Sequence, residues 1–377
     1  MSSAGLFSSE TYREVRRPLP EASTLPPDCY TSDAFYRREI ENIFRKHWQF
    51  AGRAEQLADP GSYYCFDGPA GPVILLRDGS GAVRAYANSC RHRGARLLNR
   101  DGRCRRIRCP YHSWTYRLDG SLASAPGMQE TSAFDAGDFP LIELSLAEWQ
   151  GFLFIHYGDS PPPLEACLGN LPATFDGHRC ADMRLVGELE FDIAANWKLL
   201  AENALEAYHT GSVHRDTLGQ QASRALATVG GWTGLLVEDE HSVATLPGDD
   251  KPFPHIEGLS ELAREGAFFT LLYPSTQLVF AQDCAWWLAF LPLAPDRTRL
   301  RIGACFPRST IDLPGFEEKV KPYFERWRSA TAEDNAICEQ QQLGQAAIRP
   351  PGRYAVSEFA VHAFDNWVLD QVIDKPG

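Results

Sequence analysis

Residues 90–114 read CRHRGARLLNRDGRCRRIRCPYHSW, and the partition of this stretch decides the fold. Cys90-Arg-His92 and Cys109-Pro-Tyr-His112 form two Cys/His pairs separated by sixteen residues. Each pair falls at a loop of a β-rich region, so each loop offers one thiolate and one imidazole. Two Cys with two His suit tetrahedral Zn²⁺, or a [2Fe–2S] cluster in which two His replace two Cys on one iron. Zinc fingers normally pair Cys with Cys and His with His. Here the ligands are split Cys/His twice, which lets both Cys bind one iron and both His the other. Gly94 and Pro110 suit tight loops whose backbone N–H groups point at sulfur. Cys104 lies between the halves, is not needed as a ligand and reads as an ordinary thiol.

Outward from this stretch the texture is β on both sides. SYYCF and PVILLRD, a turn at Asp78-Gly79-Ser80-Gly81, and AVRAYAN read as a meander that continues through TYRLDGSL to GFLFIHYG. Pro161-Pro162-Pro163 closes it and marks a boundary. Upstream, residues 1–30 read as an arm or surface wrap, and Ser32 as the N-cap of a helix running towards Trp48, with Phe35, Ile40, Ile43 and Phe44 on one stripe. Downstream the pattern is mixed. WKLLAENALEAYH predicts a helix over 196–209, with strands near GLLVED, FFTLLYP, TQLVFAQ, WWLAFLPL and RLRIGACF. Helices are expected over about 316–343 and 357–372. The division is therefore 1–46, 47–163 and 164–377. No GxGxxG or GxxxxGK[ST] loop is present, which excludes a nucleotide-binding domain of those types.

Composition narrows the setting. Ten cysteines in 377 residues are too sparse for a disulfide scaffold. The most apolar run, 278–293, is interrupted by Gln282 and Asp283, so no membrane span is expected. MSSAGLFSSETYREVRRP lacks the features of a signal peptide, and the expectation is a cytoplasmic protein. A net charge of −12 argues against general nucleic-acid binding. Against that background, eight arginines (91, 93, 96, 100, 103, 105, 106 and 108) lie within eighteen residues, opposed there only by Asp101. Such a patch either faces an acidic partner or pairs internally with carboxylates.

The second constellation is Glu202-Asn203-Ala-Leu-Glu206-Ala-Tyr208-His209-Thr-Gly211-Ser-Val-His214. His209 and His214 are five apart, about 140° out of phase on a regular helix. They share a metal only if the helix unwinds between them, and Gly211 sits where that is allowed. Glu206 and His209, three apart, share a helix face. Two imidazoles and one carboxylate make the facial triad of non-haem Fe(II) oxygenases, with open positions for O₂ and substrate. The remaining histidines (His47, His156, His178, His241, His255, His362) have no such partners and read as structural or surface groups.

These motifs resemble the Rieske non-haem iron oxygenases: CxHRG…CPYHxW at residues 90–114, NWK-x3-EN-x5-H from Asn196, and the C-terminal GRYAVSEFAVHAFDNW run. The resemblance implies an α+β chain. An all-β Rieske [2Fe–2S] domain precedes a helix-grip (START/SRPBCC-like) catalytic domain, in which an antiparallel sheet curls around a long C-terminal helix and the N-terminal arm and helix pack on it. It implies Cys90, His92, Cys109 and His112 as cluster ligands and His209, His214 and Asp334 as ligands of a mononuclear Fe(II). Asp334 comes from Glu333-Asp334-Asn-Ala-Ile-Cys-Glu339, with Glu333 as its rival. Glu206 and Asn203 take catalytic roles. O₂ is the cosubstrate, and electrons come from NAD(P)H through a ferredoxin and/or flavin reductase. A homotrimer is implied, with His112 linked through Glu206 of the neighbouring subunit to His209. Glu206 stands where most members have Asp, a feature of the carnitine and glycine betaine branch. That points to monooxygenation, as hydroxylation or N-/O-dealkylation, of a small aromatic or quaternary-ammonium substrate. Cis-dihydroxylation of an aromatic ring is the alternative, and an electron carrier without oxygenase activity the remote one. Phe268, Phe269, Tyr273, Phe280, Trp286 and Trp287 are candidates for the pocket wall or for sheet core.

Overall fold

The computed structural model describes residues 3–239, 242–248, 252–347 and 349–374. His241 lies outside these described residues. The chain forms two compact units, Phe44–Pro161, and Met1–Ile43 together with Pro162–Gly377.

The first unit is all β. Strands β1 (Gln49–Arg53), β2 (Ser62–Gly68), β3 (Gly71–Arg77), β4 (Val83–Ala87), β5 (Gly102–Arg103), β9 (Glu143–Trp149) and β10 (Phe152–His156) form one sheet in the order β1-β10-β9-β4-β3-β2-β5. Three short strands, β6 (Ile107–Arg108), β7 (Thr115–Tyr116) and β8 (Leu122–Ser124), form a second. The core between them gathers Ile74, Leu76, Tyr86, Ile107, Trp114 and Tyr116 around Cys90 and Cys109. Both cysteine loops are thus set in packed apolar surroundings.

The second unit is built on a seven-stranded antiparallel sheet ordered β11-β17-β16-β15-β14-β13-β12. Its strands are β11 (Met183–Ile193), β12 (Ser223–Ala225), β13 (Trp232–Glu238), β14 (Gly266–Leu272), β15 (Thr276–Phe280), β16 (Ala285–Ala294) and β17 (Arg297–Pro307). Strands β13–β16 are buried along almost their whole length, which is why they read as continuous apolar runs. Edge strand β11 carries the alternation Glu188-Leu189-Glu190-Phe191-Asp192, which the sequence expectations omitted. Its outward carboxylates pair diagonally with β17 through Glu188–Arg301, Glu190–Arg299 and Asp192–Arg297 at 2.8, 3.4 and 2.5 Å. Asp283, one of the polar breaks in the apolar run, is buried between β15 and β16 and accepts hydrogen bonds from Ser242 and Tyr323.

Helix α1 (Asp33–Glu39) is capped by Ser32, whose Oγ accepts the Phe35 N–H at 3.4 Å. The arm before it does not merely wrap the surface: Tyr12, Leu25 and Tyr30 are 0%, 0% and 3% exposed and belong to this unit's core. Helix α2 (Trp197–Asn203) is tied to α1 by a fully buried ion pair, Lys198 Nζ to Glu39 Oε1 at 2.6 Å. Lys198 also donates to Asn196 Oδ1 at 2.8 Å. The expected helix over 196–209 stops at Asn203. It resumes only as the single turn α3 (Thr210–Val213). Good helix formers in 204–208 are overridden because their backbone leaves the helical path to present Glu206 and His209. The unwinding therefore precedes His209 instead of falling at Gly211, and Gly211 is itself helical. The long helix α4 (Lys321–Gln345) packs against α2, α3 and β11, and α5 (Phe359–Val372) packs against α1 and β13.

Candidate metal centres

The two cysteine loops repeat one backbone design. In the first, Cys90 N–H donates to Ala95 O at 2.8 Å and Gly94 N–H to Cys90 O at 2.9 Å. In the second, Cys109 N–H donates to Trp114 O at 2.8 Å and Ser113 N–H to Cys109 O at 3.1 Å. The residue four beyond each cysteine has positive φ: Gly94 at 72° and Ser113 at 61°. Glycine takes this conformation without cost. Ser113 is held there while its hydroxyl accepts from Arg108 at 2.8 Å.

The candidate ligands face one another. Cys90 and Cys109 are 3% and 2% exposed, and the rings of His92 and His112 lie 4.8 Å apart. His92 stacks on Trp114 at 4.9 Å with planes 9° apart, fixing its orientation. The Tyr116 hydroxyl accepts the Arg91 N–H at 3.0 Å, so its own proton is free to point at Cys90 Sγ, 3.4 Å away. Burial pushes the Cys90 thiol up despite Tyr116, so two adjacent buried thiolates require a cation. Burial, then His112 and Arg93, hold His92 below the usual imidazole range, in the neutral form that ligates metal. His112 Nδ1 is buried with no hydrogen-bond partner, an orphan of the kind a metal satisfies. The donor set fits a two-Cys, two-His cluster.

In the second unit His209 ends the unwound segment and His214 ends α3, so the two rings flank a single helical turn with centroids 5.1 Å apart. Asp334 comes from α4. His209 Nε2 and His214 Nε2 lie 3.4 and 3.0 Å from Asp334 Oδ1. Ligand atoms of these three residues fall within 4.8 Å of one another, the one such group of His, Cys, Asp or Glu among the described residues. Asp334 Oδ1 is buried and lacks a well-formed hydrogen bond although it sits between two imidazole nitrogens.

The other ring nitrogens explain why the Nε2 atoms converge. His209 Nδ1 lies 2.6 Å from Glu206 Oε1, and His214 Nδ1 lies 2.7 Å from Glu333 Oε2. A carboxylate at each Nδ1 holds the proton there and leaves the Nε2 lone pair for a metal. Glu206 therefore does not share a helix face with His209. Its Oε2 accepts the backbone N–H of His209 at 3.0 Å and that of Tyr208, capping the approach to α3. Glu333 is not among the converging atoms; it orients His214 and accepts from Thr217 at 2.7 Å. Burial alone would lower the His209 pKa, but the Asp334 and Glu206 carboxylates beside its two ring nitrogens outweigh it and raise it to about 9, so a metal at Nε2 would displace a proton there.

A cavity of about 90 Å³ adjoins these atoms, several times the ~10–15 Å³ that one water needs. Asn203 and Glu206 reach it from one side, and Phe269, Trp286 and Phe290 from the sheet. Phe268, Phe280 and Trp287 are sheet core, at most 1% exposed, and Tyr273 stacks on Trp367. The sequence reading missed Arg326 and Trp327, which enter the cavity from α4. Their only signal is a spacing of seven or eight residues from Asp334 on one helix. Among the other histidines, His178 and His362 each pair with a backbone carbonyl, and His156 accepts the Gly158 N–H. No helix among the described residues is long and apolar enough to cross a membrane.

Comparison with known proteins agrees with this geometry. The family model of the ring hydroxylating alpha subunit (catalytic domain) matches residues 180–374, and that of the Rieske [2Fe–2S] domain matches residues 47–137. The glycine betaine monooxygenase oxygenase subunit of Chromohalobacter salexigens is 26% identical, over 93% of this chain and 86% of its own. The chloroplastic choline monooxygenase of Beta vulgaris is 28% identical, over 93% and 77%. A quaternary ammonium Rieske monooxygenase structure superimposes with a TM-score of 0.80 at 25% identity, covering 93% of this chain and 96% of that one. Naphthalene 1,2-dioxygenase from Rhodococcus sp. shares the fold, with a TM-score of 0.79 at 21% identity over 98% and 100%. Two metal-competent sites in two units, matched by those two family models, identify the chain as a member of the ring-hydroxylating alpha subunits: the oxygenase subunit of a Rieske [2Fe–2S], non-haem iron system that draws electrons from a separate partner protein.

Proposed function

We propose that the chain catalyses O₂-dependent monooxygenation, as hydroxylation or oxidative N- or O-dealkylation, of a small quaternary-ammonium substrate. Cys90, His92, Cys109 and His112 hold the cluster, and His209, His214 and Asp334 hold Fe(II). The observation that carries this reading is the convergence of two Nε2 atoms and Asp334 Oδ1 beside a cavity, with each imidazole's Nδ1 bonded to a carboxylate. When bound, the cluster passes electrons and the iron activates O₂. The chain's own groups set up that chemistry: Glu206 and Glu333 fix the two rings, and the apolar wall keeps bulk water away. Relatives at 26–28% identity act on glycine betaine and choline, and the rings of Phe269, Trp286, Phe290 and Trp327 suit an alkylammonium through cation–π contact. Aromatic cis-dihydroxylation is the second reading, favoured by the same apolar wall.

The test is metal content. Purified protein should hold about three irons per chain, two in the cluster and one mononuclear. His209→Ala should lose the mononuclear iron and keep the cluster's visible absorbance. Bleaching of the cluster in that variant would show that the ligands are partitioned differently.

The homotrimer belongs to the same proposal. With Nδ1 turned inward to the cluster, His112 has Nε2–H left to donate, and Glu206 of a neighbouring subunit is the acceptor. The arginine patch is proposed to dock an acidic ferredoxin or reductase. Arg96 pairs with Asp67 and Arg103 with Asp59, but among the described residues no carboxylate pairs with the exposed Arg100, Arg105 or Arg106. Reduction of the cluster by its partner should weaken steeply with added salt, since charges are screened over ~8 Å at physiological ionic strength. Arg105→Glu should slow it further, and insensitivity to both would end the docking idea. A cytoplasmic location is supported by the absence of any disulfide among the ten cysteines.

A further inference from the structure

One charged group in the cavity plays no part in holding metal. Arg326, Ala330 and Asp334 recur at i, i+4 and i+8 on α4, and all three line the cavity. Arg326 is 7% exposed, and its Nε has no hydrogen-bond partner. No carboxylate among the described residues is close enough to form an ion pair with it. Asp334 acts on it only at a distance, as does Cys284. Its Cζ lies 5.5 Å from the centroid of the Trp286 ring. Burial lowers its pKa to about 10, so the guanidinium remains cationic at neutral pH.

A buried cation with no counter-ion is costly, and the cost is retained only where something supplies the missing charge. Guanidinium is the side chain best matched to a carboxylate, through two parallel N–H···O bonds. Leu288, Phe290, Leu300 and Ile302 also line the cavity and would accept the apolar body of a small molecule. We infer that Arg326 is the substrate's anion anchor: the cavity takes an organic molecule bearing a carboxylate, which pairs with the guanidinium while the opposite end lies at His209, His214 and Asp334. The inference rests on the oxygenase reading of this cavity and narrows it. Betaines and small apolar carboxylic acids fit. Choline, cationic and without an anionic group, would place a second positive charge beside the first.

Binding tests this without turnover. Iron-loaded protein is titrated with glycine betaine, phenylacetate and benzoate, each beside its methyl ester, and with choline. Thermal midpoint and dissociation constant are both measured. At least one acid should bind tenfold or more tightly than its ester and than choline. Whether the betaine or an aromatic acid wins identifies which carboxylate source the cavity takes. Arg326→Gln should abolish the preference and Arg326→Lys keep part of it; the latter also serves should the glutamine variant fold poorly. The anchor is overturned if no acid raises the midpoint, if the ester or choline binds as tightly as the acid, or if the preference survives without the guanidinium. An acid that binds through Arg326, yet is not consumed with O₂ when NAD(P)H and a surrogate reductase are supplied, overturns the oxygenase reading of the cavity and leaves the anchor standing.

Discussion

Glu206→Gln is expected to keep both metal centres and the assembly state, to let the cluster be reduced normally, and to lose turnover by about 10- to 100-fold. The carboxylate has three donors around it: His209 Nδ1–H at one oxygen, and the backbone N–H groups of Tyr208 and His209 at the other. Glutamine preserves the length but has one acceptor oxygen and one NH₂. If its oxygen faces the backbone, NH₂ meets the imidazole N–H; if it faces the ring, NH₂ meets two backbone N–H groups. Either way a donor faces a donor, and His209 loses the bond that fixes its tautomer. In a trimer the bond to the neighbour's His112 suffers as well. Stopped-flow reduction of the cluster, measured separately from single-turnover product formation, separates this from a global defect. Loss of iron would make Glu206 a ligand, near-normal turnover would make it a solvated capping residue, and either removes its bridging role.

The second large effect is on stability. Lys198→Met should lower it by ~3–5 kcal/mol, because Glu39 would be left buried without its cation. For a unit of this size that is on the order of 10 °C in thermal midpoint. The pair is 0% exposed on both sides, so solvent screening does not soften the loss. Glu39 is already pushed up by burial, with Lys198 pulling the other way. Without Lys198 its folded pKa rises further above the unfolded value of ~4.3. A raised folded pKa favours folding below the unfolded pKa, and that advantage is lost as pH rises through the folded pKa. The variant should therefore compare worst with the parent at pH 8 and better near pH 5. Adding Glu39→Met should recover most of the loss. A single-variant loss below about 1 kcal/mol would mean that water reaches the pair.

What was legible in the sequence follows from the range of the interactions involved. The Cys/His pairs at 90–92 and 109–112 sit on two loops of five to six residues, so their spacing and the Gly94 turn can be read locally. The β13–β16 runs are legible because both faces are buried. Beyond that, tertiary structure decides. WKLLAENALEAYH has helical propensity throughout, yet its backbone departs at Ala204, since Glu206 must cap α3 while orienting His209. Asp334 and Glu333 are adjacent and about 100° apart on a helix, so only the packing of α4 against α2 and α3 decides which one faces the imidazoles. Arg326 carries no local mark, since either arginine of FERWRSATAEDN reads as surface until the helix is placed.

The cavity draws its reactive and its receptive parts from different places. The three side chains that could hold a metal, His209, His214 and Asp334, come from helices or the loop between them, while Leu235, Val237, Phe269, Trp286, Leu288 and Phe290 come from the sheet. An exchange on a strand can reshape the space without passing strain to the groups that orient the histidines. Natural variation can thus revise what the enzyme accepts and leave how it reacts alone, which suits a fold whose relatives handle betaines, choline and naphthalene at 21–28% identity. Directed evolution for a new substrate would begin with those six strand positions.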